Sequence, residues 1–525
     1  MARLSVASWI GNAAAVMCGS WGAVSRRARE AGCSRQTVYE HAARVEAAVA
    51  DLEQGGTERQ QLRDEVQRVR QENGQLWEAL DQSVDFSIAQ QQRFLATASA
   101  MGLSLTQVLS LLAIVLPAGQ CPSRATLGCW LATWSARAGR ILQVLDRTCK
   151  ELVVTLCIDE IFFRRQPVLV GVEPHSMAWV IGRKEEDRKG QTWQEALRPW
   201  SQMEYAVADA GTGLRKGLSL IQEARQDDPN APRLEVGLDV FHIKKEALPV
   251  IRRGWQKLEA IWEKAEQADR EVARLRQRGE DARGAAIRAR HAWEKAEKAF
   301  QEAERIEAAW QRAAEALGVF RPDGQLNDRT WAKAEIHAAI EELSGSEWSK
   351  VRRMLSDPCA LTFLDRLHRQ LREVESNEPL REALLRLWWL RRQRAAEARS
   401  SQVAATAHAA HVIQTVLCEK IDPNWRESYR RVARVLLRTV RASSVVECMN
   451  SVIRMHQARH RTLTQPLLDL KRLWWNCRTF REGKRRGRSP YQHLGLQLPT
   501  CDFWELLQMD PEDLLQKVST HEVAL

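Results

Sequence analysis

The chain has 525 residues, enough for three or four domains with separate cores. A hydrophobic content of 44% with 28% charged residues argues against a disordered chain, and a net charge of +11 favours a polyanionic partner, nucleic acid first. The 11 cysteines include no Cys-x-x-Cys pair, which argues against a zinc site of the usual spacing and suits reduced thiols in a cytoplasm.

The first apolar run, residues 4–24, has only Arg3 before it and is overlapped at its end by a helix-turn-helix pattern, so it does not read as a signal peptide. In residues 1–50 a short helix is stopped by Gly32, and Ser34 caps a second helix that carries Arg35, Gln36, Thr37 and Tyr39. A second helix so placed faces base edges in the major groove, and Arg35 and Gln36 have the donors to read them. The competing interpretation is an αα-hairpin with a polar face. Residues 51–86 form a coiled-coil or linker helix. In it Leu62, Val66, Val69, Asn73, Leu76 and Leu80 follow steps of four and three. Asn73 stands at an a-type position, where a buried Asn favours a two-stranded state, so the segment is a candidate contact of a homodimer or larger assembly; an amphipathic helix that packs on its own domain is the competing interpretation.

Residues 87–150 read as a second helical, helix-turn-helix-like domain, with Ser104 and Ser123 as caps and a break at Pro117 and Gly119. Its second helix is rich in Leu, Trp and Ala, so packing competes with base reading. The longest apolar run there, residues 103–117, is too short to cross a bilayer, and no membrane partner is expected.

Residues 151–243 change period. Strand-like runs are predicted at 152–159, 167–173, 177–182, 205–209 and 234–239, with helices at 193–200 and 214–225. The order β-β-β-α-β-α-β is that of the ribonuclease H fold. Three runs end in carboxylates, Asp159, Asp209 and Asp239, each placed at the tip of its strand. Residues 244–441 lose all alternation and read as an all-helical insertion, with a long hairpin broken near Gly279 and Gly284. A helix then begins near Ser443, in the segment 442–495, and its Glu447, Asn450 and Arg454 share one face. Lys484, Arg485 and Arg486 form a basic loop suited to phosphate contacts. Residues 496–525 read as a C-terminal tail.

Carboxylates on rigid elements are what a metal-dependent phosphoryl-transfer site needs, with two divalent ions about 4 Å apart. Asp159, Asp209 and Glu447 meet that need by position. Asp209, within Asp-Ala-Gly-Thr-Gly, serves equally as a cap of the next helix. Ser444-Val-Val-Glu447 fits a capping box, so spacing leaves cap and metal ligand open for Glu447. His242, placed at the end of the fifth strand three residues after Asp239, is a candidate hydrogen-bonding or proton-handling group, or only a histidine that joins sheet to insertion. If Asp239 were the second ligand, Asp209 would be the capping residue.

The set Asp159, Asp209, Asp239-Val-Phe-His242 and Ser443-Ser444-x-x-Glu447-x-x-Asn450-x-x-x-Arg454 resembles the DDE transposases with a helical insertion, closest in pattern to the Mutator-like and related bacterial insertion-sequence groups. The resemblance covers residues 150–495. It implies a ribonuclease H-like α/β core with a mixed five-stranded sheet, and Asp159, Asp209 and Glu447 as catalytic ligands of two Mg²⁺ or Mn²⁺ ions with His242 beside them. It also implies double-stranded DNA (transposon ends and target) as partner, and a bacterial cytoplasmic, nucleoid-associated setting. A catalytically inactive regulator and a nuclease or resolvase of the same fold are the alternatives. Glu447 within about 8 Å of Asp159 is the geometric requirement of a shared metal pair.

Overall fold

The computed structural model describes residues 5–52, 56–83, 86–117, 119–397, 401–459 and 463–520. It is mostly helical (69%) and has one mixed five-stranded sheet. The chain divides into two compact units, residues 1–90 and 91–525.

In the first unit α1 (Val6–Met17), α2 (Ala23–Glu30) and α3 (Arg35–Leu52) pack together, and α4 (Gly56–Ser83) follows. Gly32, at φ 63°, ends the turn out of α2 in a conformation that a side chain disfavours. Ser34 Oγ then accepts from Thr37 N–H at 3.0 Å, the expected cap. The small core holds Ala13, Ala28, Val38 and Ala42. It also holds a polar knot: Asn12 Nδ2 and His41 Nδ1 are 3.0 Å apart, and Arg27 Nε donates to Asn12 Oδ1 at 3.0 Å.

The second unit opens within α5 (Ile88–Met101), and α6 (Leu105–Val115) and α7 (Arg124–Cys149) follow. The caps at Ser104 and Ser123 form as expected, and Ser104 makes a full capping box with Gln107. The segment is not a separate domain. Ala96, Ala138, Ile141, Leu142 and Leu145 lie in the same core cluster as the sheet, which takes the apolar face of α7 out of water.

The sheet consists of β1 (Thr155–Phe163), β2 (Gln166–Val172), β3 (Trp179–Lys184), β4 (Tyr205–Ala208) and β5 (Glu235–Leu238), in the order β3-β2-β1-β4-β5. β1, β2 and β3 pair antiparallel, while β1, β4 and β5 run parallel. Parallel neighbours need helical crossovers. These are α8 (Gly190–Leu197), between β3 and β4, and α9 (Thr212–Gln226), between β4 and β5. β1 does not stop at Asp159 as expected. It continues four residues to Phe163, because a hairpin with β2 pairs Asp159 with Val170 and turns at Arg164.

The insertion is mostly helical over its described length, with one antiparallel bridge between Phe320 and Leu326. α10 (Val240–Gln277) and α11 (Arg283–Ala316) form the long hairpin, broken where Gly279 and Gly284 predicted it. α12 (Arg329–Glu342), α13 (Ser349–Leu355), α14 (Thr362–Val374), α15 (Glu378–Glu397), α16 (Ser401–Ile421) and α17 (Trp425–Arg438) complete it. Leu238, Val240 and Ile243 share a core with Trp310, Trp348 and Phe363, so the insertion grows directly out of β5.

α18 (Ser444–Gln457) and α19 (Gln465–Cys477) return to the sheet. α20 (Pro490–Leu494), α21 (Phe503–Gln508) and α22 (Pro511–Lys517) follow. The expected tail is therefore structural: Phe503, Trp504, Leu506, Leu507 and Leu514 are buried in the main core, and Arg137 on α7 donates to the carbonyls of Leu507 and Gln508. Among the described residues no helix is long and apolar enough to cross a membrane.

Candidate metal centre

Parallel pairing sets three carboxylates at one level. Ile158, Ala208 and Leu238 are register partners across β1, β4 and β5, and the next residues are Asp159, Asp209 and Asp239. Their environments then diverge.

Asp159 is 7% exposed. Its Oδ1 accepts the N–H of Glu160 at 2.8 Å, and its Oδ2 accepts Nδ2 of Asn450 at 2.9 Å. Burial pushes its carboxyl up to about 6; the Glu160 N–H opposes this and the negative charge of Asp209 adds to it. A buried carboxyl that resists ionisation gains most from a cation placed beside it.

Asp239 is fully buried and caps α10, accepting Phe241 N–H at 2.8 Å. It also accepts Ser443 N–H at 3.1 Å and the Ser443 hydroxyl, so it ties the start of the insertion to the residue that follows it. Its other partner is Nδ1 of His242, at 2.6 Å. Burial would raise Asp239 and lower His242. The hydrogen bonds and charge between them win, so the carboxyl moves down and the imidazole moves up. His242 is not at a strand end as expected. It sits in the first turn of α10, three residues past the cap, where the i, i+3 relation brings it over Asp239.

Glu447 lies on α18, whose cap is Ser443, with no side-chain capping bond. Ser444 is already inside the helix and Ser443 spends its hydroxyl on Asp239, so the capping-box interpretation of Glu447 fails. Glu447 Oε1 instead lies 3.8 Å from His242 Nε2 and 3.0 Å from Lys245 Nζ, and Oε2 lies 3.8 Å from Arg454.

One ligand atom each from Asp159, His242 and Glu447 lie within 4.8 Å of one another, inside the 8 Å limit for a shared metal, and this group could hold a metal ion. The donor chemistry fits: two carboxylates and an imidazole whose far nitrogen is held by a carboxylate, the usual arrangement behind a metal-binding histidine. The buried Oδ1 of Asn450 has no partner and adds an oxygen beside Asp159. Asp209 stands outside the trio. It is half-buried and accepts the N–H of Gly211 at 2.9 Å; the cap residue of α9 is Gly211 and not Asp209, whose charge reaches both Asp159 and His242.

Of the expected DNA contacts, Arg35, Gln36 and Tyr39 are exposed on α3, while Thr37 is half-buried and held by Ser34. Lys484 and Arg486 are exposed, but Arg485 is not available. It is half-buried and donates to the carbonyls of His175 and Pro174, both at 2.7 Å. Sequence reasoning missed Lys245 as a site neighbour, and it had Ser443 in the motif but not as the partner of Asp239. Both contacts span about two hundred residues, and no local pattern carries such a pairing. No protein-family profile, curated protein or solved structure matches the chain.

Proposed function

We propose that the chain is a DNA transposase of the DDE type, with a ribonuclease H-like core and a metal-dependent site at Asp159, His242 and Glu447, to which Asp209 contributes charge. The single observation that carries this reading is the convergence of Asp159 and Glu447, 288 residues apart in sequence, on one donor cluster beside His242. The strand order β3-β2-β1-β4-β5, with its antiparallel and parallel halves, supports the proposed core. The exposed Arg35, Gln36 and Tyr39 support DNA recognition by α3.

The metal would be Mg²⁺ or Mn²⁺, which the two carboxylates suit. When bound, it supplies charge stabilisation at a phosphodiester and a more acidic water or 3′-hydroxyl. A second ion would need Asp209 to turn from Gly211 toward Asp159. The chain's own groups have clear tasks. Asn450 holds Asp159 in place, and Asp239 holds the Nδ1 proton of His242 so that Nε2 faces Glu447. Lys245, half-exposed at the rim, offers a cation to a phosphate oxygen.

The test is cleavage and strand joining on DNA that carries the element's ends, with Mn²⁺ or Mg²⁺. Asp159→Asn and Glu447→Gln should each lower both reactions at least a hundredfold while leaving end binding intact. Wild-type rates in both variants would overturn the enzymatic reading. Cleavage without joining would make the chain a nuclease instead.

A further inference from the structure

Helix α4 carries an apolar seam left open within its own unit. Leu62, Val66 and Val69 are 51%, 47% and 44% exposed. These residues, with Asn73, Leu76 and Leu80, occupy alternating d and a positions: Leu62, Val69 and Leu76 at d, Val66, Asn73 and Leu80 at a. The 28-residue helix is about 42 Å long, enough for such a seam.

The flanking charges discriminate between geometries. Glu65 and Glu72 fall at g positions and Arg63 and Arg70 at e positions, and by sequence Glu58 holds the g position one heptad earlier. In a parallel, in-register pair each g residue faces the e residue five positions on in the second helix. Glu65 then meets Arg70, and Glu58 meets Arg63. In an antiparallel pair g faces g and e faces e, setting Glu against Glu and Arg against Arg. The seam agrees with the charges. Val66 at a with Leu62 and Leu76 at d favours two strands, Val69 at d and Leu80 at a do not, and Asn73 decides for two: in-register pairing sets Asn73 against Asn73, where its amides satisfy each other. Glu65 now pairs with Arg68 of its own helix at 2.7 Å, an exposed contact that exchanges readily.

We propose that α4 forms a parallel, in-register, two-stranded coiled coil with a second copy of this chain. Both copies of α3 then enter the coil from the same end, so two reading helices are presented together. The inference stands independently of the metal centre.

Sedimentation of the full chain should give twice the chain mass. A Glu58→Lys, Glu65→Lys variant should sediment at the single-chain mass, as should an Arg63→Glu, Arg70→Glu variant, and an equimolar mixture of the two should recover the doubled mass. These are helix-surface changes, so an unchanged circular dichroism spectrum serves as the folding control. Orientation is read from Val66→Cys under mild oxidation, where peptide mapping should find position 66 linked to position 66. A wild-type chain of single mass, as would follow if another part of the same chain covered the seam, overturns the proposal. So does a charge-reversed variant that still sediments at double mass, or the absence of the 66–66 link.

Discussion

Asn450 shows how much one side chain of the candidate centre contributes. Its Nδ2 is donated to Asp159, and its Oδ1 is buried without a partner. Residues that orient a metal ligand typically matter 10- to 100-fold in affinity, so Asn450→Ala should weaken Mn²⁺ binding by about that factor in isothermal titration. Undiminished affinity would show that Asp159 needs no orienting partner. Lys471 is a different case, far from chemistry. It is 1% exposed and donates to the carbonyl of Ala100 at 3.1 Å, and burial holds its ammonium down to about 7. Between pH 7 and 10.5 the unfolded chain keeps a proton there that the folded chain has released, so stability should rise with pH across that window. The slope should approach about 1.4 kcal/mol per pH unit at most. Lys471→Met should remove that component, as measured by urea denaturation at pH 7.5 and 9.5; equal slopes in both proteins would show that the lysine stays charged.

At the scale of elements, the sheet was legible because each strand is a short apolar run bounded by turns. Five strands and two crossover helices were expected, and all of them are present within a few residues of their predicted ends. What the runs could not show was where β1 stops. Its residues continue a strand past Asp159 once β2 folds back on them, and only the hairpin reveals that. The α8–α9 contact is equally tertiary. A Cβ added at Gly217 would collide with the Cβ of Trp193 and approach the carbonyl of Gly190 at 3.0 Å, so the two helices touch at backbone distance. Gly217→Ala should therefore destabilise the second unit by about 1–3 kcal/mol, despite the better helix propensity of Ala. Thermal denaturation checks it, and a raised midpoint would mean that α8 has room to move.

At the scale of the molecule, the candidate centre exists because the chain closes across nearly two hundred residues of helix. Ion pairs hold that closure on the core side: Arg369 and Arg366 meet Glu235, and Arg215 meets Asp357. Val240 N–H donates to the carbonyl of Arg441 at 3.0 Å, so the insertion begins and ends at one point. A metal held by Asp159, His242 and Glu447 would bridge the sheet, the insertion and α18. Mn²⁺ at about one hundred times its dissociation constant should then stabilise the chain by about 2.7 kcal/mol. A chelator should reverse the shift in melting temperature, and Glu447→Gln should abolish it. A shift that survives Glu447→Gln would place the ion elsewhere.

Sequence by itself determined the alternation of strand and helix, the helical insertion, the caps at Ser34, Ser104 and Ser123, and the short set of acids from which a site could be built. Those are local properties, written in period, turn chemistry and capping. The tertiary structure decided among the acids. Asp159, Asp209 and Asp239 end their shared register at the same level, and no local signal ranks them. Contacts did: Asp239 took His242 and Ser443, Asp209 took its own turn, and Asp159 took Asn450 and the neighbourhood of Glu447. Burial and hydrogen-bond partners are set by residues hundreds of positions away, so they are fixed only when the chain folds.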